Sequence, residues 1–207
     1  MALGKRAKLF GIGLSRTGTT SLTTALRCVG YRAIHFPKDD MTRAEITNFL
    51  RVGKGPLRLS LLNQVHAITD TPVCCTYRAL DEFYPGSKFI LTVRERQSWL
   101  ASCRSRWERL PISPAAVPGE APMMQYIRLT RKHLYGTTDF DESLFSASYN
   151  RHVDAVLDYF NTKQQRLLVM DICGGDGWNL LCPFLGVAQP RVAFPHENQR
   201  PTSDPAS

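Results

Sequence analysis

Lys8-Leu9-Phe10-Gly11-Ile12-Gly13-Leu14-Ser15-Arg16-Thr17-Gly18-Thr19-Thr20-Ser21-Leu22 joins three kinds of segment in fifteen residues. Residues 8–14 are a short apolar run, the pattern of a strand buried on both faces. Residues 15–20 are small and polar, as a tight turn requires. From Ser21 to Val29, Leu22, Ala25, Leu26 and Val29 recur at helical spacing, and Gly30 closes the segment. A strand, a glycine-bearing turn and a helix in this order form a cradle for anions. Glycines let backbone N–H groups converge, and the helix N-terminus adds about half a positive charge.

The rest of the chain continues the alternation. Strands are predicted at 32–36, 67–69, 88–93 and 166–170. Helices are predicted at 42–52 (Thr42 as cap, Glu45 completing a capping box), 73–84, 97–110, 123–135, 149–164, and from a cap at Asp176 to Leu185. Pro111 to Pro122 holds four prolines and a glycine and reads as a loop. Strands alternating with helices predict an α/β fold: a single P-loop-type domain over 1–194, with a central parallel sheet of about five strands in the order 2-3-1-4-5, flanked by helices. Residues 195–207 are expected to be a polar tail, ordered only where it docks. In such sheets ligands sit beyond the carboxyl ends of the strands.

Composition agrees with a globular chain. Of 207 residues 43% are hydrophobic and 21% charged, which excludes intrinsic disorder. Lys and Arg outnumber Asp and Glu by 26 to 18, for a net charge of +8, which suits an anionic ligand. No basic block stands out, and nucleic acid is not an expected partner. No apolar run approaches the roughly 18 residues of a membrane span. Cys28, Cys74, Cys75, Cys103, Cys173 and Cys182 lack metal-binding spacing and read as reduced thiols; with no export signal they predict the cytoplasm.

The turn nearly spells the triphosphate loop GxxxxGK[ST], but Thr19 stands where the lysine that reaches β- and γ-phosphates belongs. No Walker-B aspartate follows an apolar strand. Arg16, inside the turn, is the replacement charge. Ser15-Arg16-Thr17-Gly18-Thr19-Thr20-Ser21-Leu22 resembles the 5′-phosphosulfate loop of sulfotransferases that use 3′-phosphoadenosine 5′-phosphosulfate (PAPS). The resemblance assigns Ser15 to Ser21 to the donor and Arg16 to its leaving phosphate. Phe89-Ile90-Leu91-Thr92-Val93-Arg94 with Ser102 eight residues on resembles the family's 3′-phosphate site, with Arg94 and Ser102 gripping the phosphate together. Arg94 in a surface ion pair with Glu95 or Asp81 is the structural alternative. Asp81 to Lys88, and Asp176-Gly177-Trp178 leading to Leu185-Gly186, resemble a bacterial-type branch. The late Arg-Lys-Gly run of many members is missing.

Transfer to a hydroxyl (or amine) needs a base. Asp70, in Thr69-Asp70-Thr71-Pro72, sits where the resemblance places a histidine. His35, at the end of the second strand, is the alternative, with an ordinary pKa better suited to the task. The remaining histidines, at 66, 133, 152 and 196, carry no pattern, and Trp99 and Trp178 read as core. The resemblance implies PAPS as cosubstrate, adenosine 3′,5′-bisphosphate as product, no metal, and a small-molecule, lipid or carbohydrate acceptor bound around the Pro111–Pro122 loop. A nucleotide or small-molecule kinase relying on Lys88 or Lys54, and a non-catalytic nucleotide-binding relative, are the competing readings.

Overall fold

The computed structural model describes residues 7–113, 115 and 119–197. Its centre is a five-stranded, all-parallel sheet: β1 (Leu9–Gly11), β2 (Ala33–His35), β3 (Ala67–Thr69), β4 (Lys88–Thr92) and β5 (Leu167–Met170). The strand order is β2-β3-β1-β4-β5, as the alternating pattern predicts. Leu9 pairs with Ala67 on one side and with Lys88 on the other, so β1 is central. Both faces of β1 are covered, which is why its residues are apolar without alternation. Phe10 and Phe89 pack together with Val156 and Phe160 on one face; Leu9 and Ile90 meet Leu22, Leu26, Ile172 and Leu181 on the other. Each fully buried aliphatic or aromatic side chain contributes about 1.5–3 kcal/mol.

Among the described residues seven α-helices surround the sheet: α1 (Thr19–Cys28), α2 (Asp40–Val52), α3 (Val73–Phe83), α4 (Arg96–Glu108), α5 (Pro122–Tyr135), α6 (Glu142–Phe160) and α7 (Trp178–Leu185). Three start where the local sequence reading did not put them. Asp39, not Thr42, caps α2: its carboxylate accepts from Thr42 N at 2.8 Å, while Glu45 binds Ser60 instead of closing a capping box. Helix α6 begins seven residues before the predicted Tyr149, because Asp141 caps it through Leu144 N at 2.8 Å. Asp176 does not cap α7; its Oδ2 accepts from Asp171 N at 2.7 Å and pins the turn after β5. Acidic side chains near a helix start compete for the free backbone donors, and the fold decides which donor each one meets.

Among the described residues no helix is long and apolar enough to cross a membrane. The tail is described only to Glu197, and there it docks: Phe194 packs edge-on against Trp178, and Glu197 N donates to Ser21 Oγ at 2.8 Å. The remainder of the predicted tail, 198–207, lies outside the described residues.

Candidate active site

The carboxyl ends of β1, β2, β3, β4 and β5 open into one cavity of about 870 Å³. It is within the range of small-molecule and cofactor sites. The segment after β1 reaches α1 through Arg16 at φ 77 and Gly18 at φ 93, both in the left-handed region. Glycine adopts that region without strain and arginine does not. Helix α1 starts with no side-chain cap, so its first N–H groups are left for a ligand on the cavity side. The turn packs closely against β4. A Cβ on Gly13 would stand 1.9 Å from Thr92 Oγ1, and Thr17 Oγ1 pairs with the same hydroxyl at 2.6 Å.

Eight of the nine residues expected at the donor, Ser15, Arg16, Gly18, Thr19, Thr20, Ser21, Arg94 and Ser102, line this cavity. Thr17 does not; it is fully buried, and its hydroxyl donates to Leu14 O at 2.6 Å to hold the turn. Arg94 leaves the end of β4 toward the turn. Its Nη1 donates to Arg16 O at 3.2 Å, and its Nε and Nη2 donate to Ser98 Oγ at 3.0 and 2.8 Å. Ser102 instead accepts from Arg16 Nε at 2.9 Å. The serine and arginine partners are thus crossed relative to the expected Arg94–Ser102 pair, and Ser98, one helical turn earlier, is a site residue that the sequence reading missed.

Neither alternative ion partner of Arg94 is available. Glu95 spends both carboxylate oxygens on Gln97 N and Ser98 N as the cap of α4. Asp81 pairs with Lys163 and Arg166, and Tyr159 adds a hydrogen bond at 2.9 Å. Among the described residues neither Arg16 nor Arg94 makes an ion pair. Burial lowers the Arg16 pKa, and neighbouring Arg106 and Arg94 lower it further. These are cations kept close together; Asp70 offsets part of the effect on Arg16 without forming an ion pair with it.

The two candidate bases touch. His35 Nε2 lies 3.0 Å from Asp70 Oδ2, with the histidine side chain 29% exposed and the aspartate 8%. Ser15 Oγ donates to Asp70 Oδ1 at 2.6 Å. Thr19 and Thr20 hydroxyls lie 3.2 and 3.3 Å from the same histidine nitrogen. Burial pushes the Asp70 carboxyl up, but hydrogen bonds from His35 and Ser15 outweigh it and hold the carboxyl below its ordinary range. Asp70 has φ 70, and Phe36, directly after His35, has φ 46. Strands β2 and β3 are neighbours, with His35 in register with Thr69, and this pairing brings the two residues together.

The other expectations resolve simply. Trp99 is fully buried and donates from Nε1 to Ser15 O at 2.9 Å, so it supports the turn from the core. Trp178 is also core and donates to Val192 O. Lys88 opens β4 at the far end of the strand from Arg94 and binds Phe184 O, out of reach of the turn. No described residue of the 111–122 loop lines the cavity. Its wall there is built by Trp107 and Leu110 at the end of α4 and by Ile127, Thr130, Arg131, Leu134 and Tyr135. All six cysteines are free thiols, and no described group of three or more His, Cys, Asp or Glu side chains is placed to hold a metal ion.

Comparison with known proteins bears on the family and the fold. The family model described as "Sulfotransferase domain" matches residues 8–203. The protein "Ava biosynthesis cluster protein M" of Aspergillus versicolor is 28% identical over 215 residues, covering 91% of this chain and 80% of its own. The crystal structure of a sulfotransferase from Alicyclobacillus acidocaldarius superposes with a TM-score of 0.55 at 14% identity, over 97% of this chain and 88% of that one. At that identity the likeness is one of fold.

Proposed function

Because the chain belongs to the sulfotransferase domain family, we propose that it is a PAPS-dependent sulfotransferase acting on a small molecule with a hydroxyl or amine. One observation carries the donor assignment. Arg16 and Arg94, neither in an ion pair among the described residues, line one cavity beside an uncapped helix N-terminus, and Arg94 Nη1 donates to the backbone carbonyl of Arg16 at 3.2 Å. That arrangement fits a ligand with anionic groups at two points. Placing two cations near each other costs free energy that an anion removes.

When bound, PAPS supplies the activated sulfuryl group on a phosphate leaving group. The chain does the rest. Arg16 and the first N–H groups of α1 bind the 5′ end and stabilise the negative charge that develops there. Arg94, oriented by Ser98, binds the 3′-phosphate in a bidentate manner. His35 and Asp70 take the acceptor's proton as a unit, with Asp70 fixing the ring and favouring the imidazolium that forms. A positioned base contributes roughly 10²–10⁴ in rate. The fungal relative named for a biosynthesis cluster is in keeping with a small-molecule acceptor.

Thermal melting with ligands tests the proposal. Adenosine 3′,5′-bisphosphate raises the melting temperature in proportion to its binding, and ATP with Mg²⁺ does so far less. Equal or greater stabilisation by Mg·ATP overturns the donor assignment and returns the fold to nucleotide kinases.

A further inference from the structure

Helix α4 presents two stripes at four-residue spacing. Trp99, Cys103 and Trp107 face the core, while Ser98, Ser102 and Arg106 face the cavity. Ser98 and Ser102 are engaged by Arg94 and Arg16. Arg106, one turn further on, makes no ion pair among the described residues. Across from it on α5 stands Arg131, which lines the same cavity although only 6% of it is exposed.

Arg131 is held rigidly. Its Nη1 donates to Leu110 O at 3.1 Å and Thr138 O at 3.0 Å, and its guanidinium lies 4.7 Å from the Trp107 ring centroid. Among the described residues no carboxylate pairs with it. Burial lowers its pKa to about 10, Arg106 lowers it too, and Asp139 counteracts both without forming an ion pair. Other arginines on these helices are treated differently: Arg128 is paired with Glu120, and Arg104 with Glu142. Exposed Arg96 is also without an ion pair, but of the two buried arginines on these helices, Arg128 and Arg131, Arg131 alone has no carboxylate among the described residues. A nearly buried guanidinium with no anion is unfavourable unless a ligand brings one.

The surrounding wall is apolar. Trp107, Leu110, Ile127 and Leu134 line the cavity beside these two arginines. Arg16 and Arg94 already serve the two anionic ends of the donor, so Arg106 and Arg131 are surplus to it. We propose that the acceptor is an apolar or aromatic alcohol that also carries a carboxylate, its acid held by Arg106 and Arg131 at the α4–α5 end of the cavity. Its hydroxyl then points back toward His35 and Asp70. This inference rests on the sulfotransferase reading, since it takes the α4–α5 end as the acceptor's.

The test uses a matched pair of probes, 3-(4-hydroxyphenyl)propanoate and its methyl ester, titrated calorimetrically with and without saturating adenosine 3′,5′-bisphosphate. The acid binds about tenfold more tightly than the ester. Arg106→Gln abolishes that preference by weakening the acid alone, Arg106→Lys keeps part of it, and the affinity for the bisphosphate is unchanged in both. Arg106 is exposed, so these variants fold. An ester that binds as well as the acid, a preference that survives Arg106→Gln, or no binding of either probe overturns the proposal. So does a loss of bisphosphate affinity in Arg106→Gln, which would assign Arg106 to the donor. If the bisphosphate itself fails to bind the parent protein, the sulfotransferase reading falls, while the acid-to-ester ratio without nucleotide still decides whether this end selects a carboxylate.

Discussion

Ser15 Oγ and Asp70 Oδ1, 2.6 Å apart, tie the phosphate turn to the end of β3. The turn proposed to bind the donor and the carboxylate proposed to serve the acceptor are therefore one hydrogen-bonded assembly. A disturbance of either reaches the other through a single short bond.

The contact between His35 and Asp70 predicts that they fail together. Asp70→Asn and His35→Ala each lower kcat by roughly 10²–10⁴. The double variant is little worse than either alone, as for residues acting as a unit. Single-turnover assays with saturating PAPS measure this. Losses that multiply would show two independent roles.

Acid stability follows from the depressed carboxyl of Asp70. Its folded pKa lies below the ordinary 3.8, so the stability it contributes is complete above that value and is lost as pH falls through the lower, folded one. Asp81, lowered by Lys163 and Tyr159 against the opposing effect of burial, acts with the same sign. Melting curves between pH 6 and 2.5 are expected to be steeper with pH for the parent than for Asp70→Asn. Parallel curves would mean that the carboxyl gains nothing from its partners on folding.

Arg94→Lys is expected to be a poor substitute. The guanidinium reaches Ser98 and the Arg16 carbonyl at once through three different nitrogens, and one ammonium cannot. Affinity for adenosine 3′,5′-bisphosphate falls on the order of tenfold or more, with little change in the melting temperature of the free protein. Isothermal titration separates the two effects.

Gly13→Ala tests the close approach of the turn to β4. The added methyl would collide with Thr92 Oγ1 at 1.9 Å and Thr92 O at 2.5 Å, so backbone must move. The expected loss is about 1–3 kcal/mol or more in denaturant unfolding, with donor binding weakened as the turn shifts.

Much of this was legible in the chain itself. The five strands follow from apolar runs between helical segments, their order from reading the chain as a P-loop-type domain, and the glycine-bearing turn marks the anion cradle. What local pattern does not contain is which distant residues meet. The crossing of serine partners between Arg94 and Arg16 depends on how α4 leans over the turn. The meeting of His35 with Asp70 depends on β2 lying beside β3. The Asp39 and Asp141 caps were missed for another reason, since several acidic or hydroxyl residues compete for each helix start. Arg106 and Arg131 carry no motif at all. Their shared place on the cavity wall is what sets them apart from the arginines outside the site.

Arg16, Phe36 and Asp70 each hold a positive φ, at the mouths of three adjacent strands. Outside glycine, such a conformation costs on the order of 1–3 kcal/mol per residue. A search for thermostable variants would accordingly be drawn to these three positions, where glycine relieves the backbone at once. Every such gain would remove a cation, a wall residue or the proposed proton acceptor from the cavity, so hardening this protein and keeping it active pull in opposite directions at its centre.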